Sequence, residues 1–238
     1  MPLYASKRVA GGSVFARVLR DTALQAQRLQ VSAKTALYQP DEEARNIHFI
    51  HEGQVRIYQM GPNGSRRLIE ILGSNEWCGA AALAGAPSYG EVAIAAVPTT
   101  VSVVAADRLY GVLARDSEAA GDLIRQLACK LGAYRQDASD LVFQDCNQRL
   151  ISALLDLSQS PAASASADGV VLRITHQQLA QKVGVARETI SLALGQLRKR
   201  NLLRTGRNQL HFNPQTLRDS AAQQHAAPQV LKDQVPIR

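Results

Sequence analysis

The chain has 238 residues, 46% of them apolar, enough for two modest domains with their own cores. No apolar run approaches the roughly 20 residues of a membrane span, no apolar stretch follows Lys7 and Arg8, and the three cysteines stand far apart. These features argue against a membrane protein, a secretory signal and a disulfide framework, and for a reducing cytoplasm. The net charge of +7 is uneven: residues 1–145 hold 15 basic and 15 acidic side chains, residues 146–238 hold 12 and 5, so the C-terminal part suits a polyanion.

Residues 1–34 read as an N-terminal arm. A Gly11-Gly12 hinge precedes helical spacing over residues 13–29, with Val14, Val18, Leu24 and Leu29 on one stripe. Residues 35–115 then change to short strands, at 47–50, 54–60, 67–72, 91–97 and 100–105. Pro62-Asn63-Gly64 is a hairpin turn, because Asn and Gly both accept positive φ. The small residues of 78–86 suit a short helix packed on a sheet. Strands at about ten-residue spacing indicate an antiparallel roll or jelly roll. His48 and His51 are three apart on a strand, so they are expected on opposite faces and not as a metal pair. Cys78 reads as a small buried residue.

Residues 116–144 form a predicted long helix. Ile124, Leu127, Leu131, Tyr134, Ala138 and Leu141 recur in steps of three and four, a coiled-coil seam that predicts pairing with a second copy. Residues 145–218 follow a hinge at Asp145-Cys146. They hold a helix over 147–158, a polar loop over 160–169 and a strand over 170–174. Cys146, at that hinge, reads as a packing residue rather than a redox switch.

Two helices joined by a tight turn come next. Thr175 is an N-cap, Leu179, Ala180 and Val183 form an apolar stripe, and Gly184 stands where a left-handed turn residue belongs. Ile190, Leu194 and Leu197 form the stripe of the second helix. A small residue, a glycine four later and a branched residue six after that are what a helix-turn-helix needs. The second helix opens with Arg187, Glu188 and Thr189, types that reach base edges, and ends in Arg198, Lys199 and Arg200, which suit phosphates. Thr175 and Gln177 complete the DNA contacts expected of the two helices. Residues 202–204 and 210–212 pair as a wing carrying Arg204 and Arg207 towards the backbone. Residues 219–238 lack a core pattern and read as a loose tail.

In this order the elements resemble the Crp/Fnr family of bacterial transcription regulators. The family has a cyclic-nucleotide-binding-type β-roll, a long dimerisation helix and a C-terminal winged helix-turn-helix. The likeness is strongest over residues 141–212 and weaker over 35–106. It implies an α+β fold and a homodimer on a palindromic double-stranded DNA site. It also implies RNA polymerase as a further partner of an activator, and a signal passed by rotation about residues 143–145. Arg187 and Glu188 match the family's first two base readers, Thr189 a phosphate contact, and Ser191 resembles the serine of the Fnr-like branch, which adds it to the expected DNA contacts. The family's second arginine is replaced by Leu192, so a TGTGA-like half-site with altered discrimination is expected.

The family's cyclic-AMP cassette is not matched. Ala80, after Gly79, replaces the glutamate for the ribose. Gly90-Glu91 stand where an Arg-Ser pair would hold the phosphate, and a carboxylate there repels one. Tyr134 and Arg135 replace the pair that meets adenine. Cyclic AMP in the usual manner is therefore not expected, nor is an iron–sulfur cluster, a haem or another metal. The effector is an unassigned small molecule near Gly79, Ala80, Tyr134 and Arg135, or none. An organic acid held by Arg135, with Arg56 or Arg66, is the one specific alternative. The sequence holds no nucleophile elbow, P-loop or GxGxxG run, so no enzyme is expected. A ligand-binding module acting through protein partners is the rival reading; it predicts no salt-sensitive DNA binding.

Overall fold

The computed structural model describes residues 14–20 and 26–226. Its first half contains α1 (Val14–Arg20) and eight strands: β1 (Gln27–Val31), β2 (Ala36–Tyr38), β3 (Asn46–Glu52), β4 (Val55–Met60), β5 (Arg66–Leu72), β6 (Trp77–Cys78), β7 (Glu91–Ala95) and β8 (Thr99–Ala105). They pair antiparallel into two four-stranded sheets, ordered β1-β8-β3-β6 and β2-β7-β4-β5. Ile47 stands opposite Val104 in the first sheet and Val55 opposite Leu72 in the second. These residues, with Phe49, Ile57, Val101 and Trp77, form the core of the roll. The turn between β4 and β5 runs through Asn63 at φ 58° and Gly64 at φ 72°, which is why those residue types stand there.

Between β6 and β7 lies α2 (Ala80–Leu83). After β8 come α3 (Ala106–Leu113) and the long α4 (Ser117–Phe143). Asp116 caps α4 by accepting from the Ala119 amide at 2.9 Å. The first turns of α4 are buried through Ala119, Asp122 and Leu123, and Asp122 accepts from the Phe15 amide at 3.1 Å, tying α1 to α4.

The second half contains α5 (Cys146–Leu157), β9 (Ala163–Ser166), β10 (Gly169–Arg173), α6 (His176–Val183), α7 (Arg187–Lys199), β11 (Leu203–Gly206), β12 (Gln209–Phe212) and α8 (Pro214–Ala226). The strands form a sheet ordered β11-β12-β10-β9. Leu150, Leu154, Leu172, Leu179, Ile190, Leu194 and Phe212 make its core. That core also takes in Tyr58, Leu68, Ile71 and Val92 from the second sheet of the roll, and α6 packs on β5. The two halves are therefore docked through a shared apolar surface.

Three expectations are corrected. The N-terminal helix is described over Val14–Arg20 and the expected Leu24 lies outside the described residues; Leu29 lies not on a helix but on β1, an edge strand paired with β8 from Gln27–Val103 to Val31–Thr99. The roll thus starts ahead of residue 35. Residues 163–166, expected inside a loop, pair with β10. Residues 219–226, expected in a loose tail, continue α8, which buries Leu217 and Ser220. Asn213 opens that helix by accepting from the Gln215 amide at 2.9 Å, with Pro214 next, where a missing amide costs nothing. The hinge expected at Gly11-Gly12 and residues 227–238 lie outside the described residues.

Candidate nucleic-acid interface and sensor pocket

Local chemistry fixes α6. Thr175 accepts from the Gln178 amide at 3.1 Å while its own amide donates to Gln178 Oε1 at 3.0 Å, a closed capping box. Gly184 ends the helix at φ 78°, ψ 40°, and its amide donates to the Ala180 carbonyl at 2.8 Å. Ala180 and Ile190 are both buried, so the helices cross closely at the small residue. Ala186, unlike Thr175, gives α7 no side-chain cap, which leaves the first amides of that helix to an outside acceptor.

Arg187, Glu188, Thr189, Ser191, Arg198 and Lys199 are all exposed on α7, and Gln177 is exposed on α6. Thr175 is half-buried in its capping box. The Ser191 hydroxyl donates to the Arg187 carbonyl at 3.0 Å and lies 3.0 Å from His176 Nδ1, so its first duty is internal. His176, which sequence reasoning missed, links the two helices through it. The β11–β12 hairpin turns at Arg207-Asn208, with Asn208 at φ 56°, and exposes both Arg204 and Arg207. α7 packs against β11, so the hairpin and the second helix form one unit. Arg200, expected at a phosphate, donates instead to Ser220 Oγ on α8 at 2.9 Å.

On α4, Ile124 is 66% exposed, Leu131 60% and Tyr134 41%, and Ala138 and Leu141 are exposed as well. Leu127 leans partly on the core of the roll. Val142 and Phe143 extend the apolar strip to the end of the helix.

The expected effector residues divide. Gly79 caps α2 at φ 90°, where a Cβ would come within 2.7 Å of the Asn46 carbonyl. Ala80 follows it. Glu91 accepts from the Tyr38 hydroxyl at 2.9 Å, and burial raises its carboxyl above the usual range. The Tyr38 ring stacks on Tyr89 at 3.9 Å and sits 5.2 Å from His48. Burial pushes the Cys78 thiol up to about 12 and His48 down to about 4. Aromatic side chains thus occupy the ground around Gly79.

Lys130 donates to Glu70 at 2.8 Å and lies 5.4 Å from the Trp77 ring, while Trp77 donates to Gln126 at 2.9 Å. Burial alone would lower the Lys130 pKa, but Glu70 holds it above its ordinary value. Tyr134 is drawn to this group; burial first, then Glu70 and Glu91, raise its phenol. Arg135 is exposed, about a quarter-turn round the helix from Tyr134. Sequence reasoning missed Tyr38, Glu70, Tyr89 and Lys130. Only a lysine on the roll-facing side of an amphipathic helix hinted at the last.

Residues 28–116 match the cyclic nucleotide-binding domain family, and residues 148–220 match the Crp-like helix-turn-helix domain. The probable transcriptional regulator flp of Lacticaseibacillus casei is 30% identical over 196 residues, covering 81% of this chain and 86% of that protein. The chain belongs to the Crp/Fnr family. The cAMP-activated global transcriptional regulator CRP of Haemophilus influenzae is 25% identical over 172 residues, 72% of this chain and 77% of that one. Among solved structures, a CRP/FNR-family transcriptional regulator of Thermus thermophilus matches with a TM-score of 0.70 at 25% identity. It covers 82% of this chain and 98% of that one. The c-di-GMP-responsive global regulator CLP of Xanthomonas campestris shares the fold, with a TM-score of 0.72 at 23% identity over 80% of this chain and 95% of that one. This Crp/Fnr protein is a DNA-binding transcription regulator with a winged helix-turn-helix behind a β-roll, as the sequence motifs implied. No helix among its described residues is long and apolar enough to cross a membrane.

Proposed function

We propose that this Crp/Fnr regulator works in the cytoplasm as a homodimer. It reads a palindromic site with TGTGA-like half-sites through Arg187 and Glu188. Thr189, Ser191, Arg198, Lys199, Arg204 and Arg207 supply backbone or secondary contacts, with Thr175 and Gln177 beside them. The carrying observation is the exposed start of α7, where an arginine able to grip guanine O6 and N7 stands beside a carboxylate suited to cytosine N4. The apolar residues exposed on α4 support the dimer, since nothing among the described residues covers Ile124 and Leu131. RNA polymerase is the further partner proposed wherever the dimer activates.

The roll does not take cyclic AMP in the family's usual manner. Glu91, bonded to Tyr38, brings a carboxyl group to the phosphate side, and Tyr38 and Tyr89 stack beside Gly79. Control comes from another small molecule or from none, and no cofactor or metal is proposed; nor is catalysis.

DNA selection with the purified full chain at fixed salt, without ligand, tests the reading. A palindrome of TGTGA-like half-sites is the expected outcome, and Arg187→Ala should relax its guanine preference. Failure to enrich any site, with or without cyclic nucleotides, organic acids and reductant, would count against DNA reading by α7. Calorimetry with cyclic AMP is expected to show no heat of binding.

A further inference from the structure

Leu192 is 71% exposed. One exposed leucine is ordinary on a protein surface; the place of this one is not. The buried stripe of α7 is Ile190, Ala193, Leu194 and Leu197, and at about 100° per residue Leu192 falls on the opposite side of the helix. It lies one turn after Glu188 and one turn before Gly195. The other exposed residues around it, Glu188, Thr189, Ser191, Gln196 and Lys199, are all polar.

Gly195 is an independent sign. A Cβ built there meets nothing within 4 Å, and its φ is not among the positive ones. Neither packing nor backbone conformation requires glycine, which weakens a helix interior relative to alanine. The result is an apolar knob beside a stretch of bare helix, on the side turned away from the protein core. Such a surface lets a partner approach closely and offers it one methyl-lined contact.

This deepens the reading of α7 as the base-reading helix and rests on it. The floor of the major groove carries one apolar group, the C5-methyl of thymine. We infer that Leu192 reads a thymine methyl within the half-site. Four residues of helix advance about 6 Å, less than two base-pair steps of about 3.4 Å. The thymine therefore lies within two base pairs of the pair that Glu188 reads. Leucine neither donates nor accepts, so a guanine or cytosine edge pressed against it would lose water without gaining a partner. Leu192 thus selects thymine both by the contact it makes and by those it refuses.

The test uses the full chain and the duplex recovered by selection, in fluorescence anisotropy titrations at fixed salt. Each thymine of the half-site is replaced in turn by uracil, which removes only the methyl. Burial of about one methyl group predicts binding weakened about fourfold per substituted half-site at one position. Leu192→Ala, an exposed change that should leave the thermal midpoint unaltered, is expected to bind thymine and uracil duplexes equally. Leu192→Arg is expected to move the preference at that position to guanine. Equal binding of thymine and uracil by the wild-type chain at every position would overturn the assignment. So would methyl sensitivity that survives intact in Leu192→Ala. Absence of sequence preference for any duplex is a separate result: it removes the base-reading role of α7, and the Leu192 contact with it.

Discussion

Lys182, on the first helix of the helix-turn-helix, reaches Asp137 on the long helix at 2.9 Å, and the same ammonium donates to the Ile69 carbonyl of the roll at 3.2 Å. One side chain thus joins three segments of the regulator. Lys182 is 14% exposed and Asp137 29%, so water screens the pair only partly. The surrounding cleft is lined by Arg67, Asp140, Arg149 and Asp156. Burial, with Asp137 and Asp140 adding repulsion, pushes the Asp156 carboxyl up to about 6 despite Lys182, although its more exposed position at the rim damps the effect on stability.

Lys182→Met should therefore loosen the docking of the DNA-binding half on the roll. It leaves Asp137 and the Ile69 carbonyl without their donor, at a cost of about 1–3 kcal/mol. Urea unfolding at neutral pH reads the loss directly. A variant as stable as the wild type, with unchanged protease sensitivity around residues 144–145, would show that the lysine holds nothing together.

His48 gives the protein a pH dependence of definite sign. Buried beside Tyr38 and Tyr89, with Nδ1 unbonded, it has its pKa lowered from 6.5 to about 4 by desolvation. The unfolded chain takes up a proton below pH 6.5, while the folded chain resists until about pH 4. The stabilising contribution is then complete above 6.5 and disappears as the pH falls to about 4, up to roughly 3 kcal/mol in all. His48→Leu removes this group from the titration. Its stability curve should be flatter than that of the wild type across the window; parallel curves would refute the assignment.

Most of the DNA-binding half was legible because its signals are local. The Thr175 N-cap, the left-handed Gly184 and the stripe through Ile190 are each set by residues close in sequence; the closing bond from Gln178 was not read. The long helix was legible for the same reason. By contrast, β1 is an edge strand whose first four residues are exposed, so it carries no buried alternation to read. The serines and alanines of β9 give no strand pattern either; pairing with β10 imposes one. The aromatic filling around Gly79 and the Lys130–Glu70 pair join residues far apart in sequence, and only the closed roll brings them together.

The seam of α4 predicts an oligomeric state. Leu131 is 60% exposed in the single chain, midway along the strip from Ile124 to Leu141. Leu131→Asp places two like charges across a pairing helix without touching the roll's core. Sedimentation should show a dimer for the wild type and a monomer for the variant, with circular dichroism unchanged. A wild-type monomer at micromolar concentration would refute the seam.

Arg187 and Arg207 should fail in different ways, and that difference separates reading from holding. Arg187 stands at the first position of α7, exposed and beside Glu188, where a guanidinium can grip one guanine edge with two bonds. Arg207 stands exposed at the tip of the β11–β12 turn, the place proposed above for a contact with backbone phosphates. Arg187→Ala should cost about 1–3 kcal/mol on the selected site and far less on unrelated DNA. Arg207→Ala should weaken both by a similar factor and lower the slope of log K against log salt by about 1. Titrations of both variants on both duplexes, at several salt concentrations, give the four numbers needed. If Arg187→Ala lost affinity equally on every sequence, the start of α7 would be holding backbone, and base reading would have to be sought further along the helix.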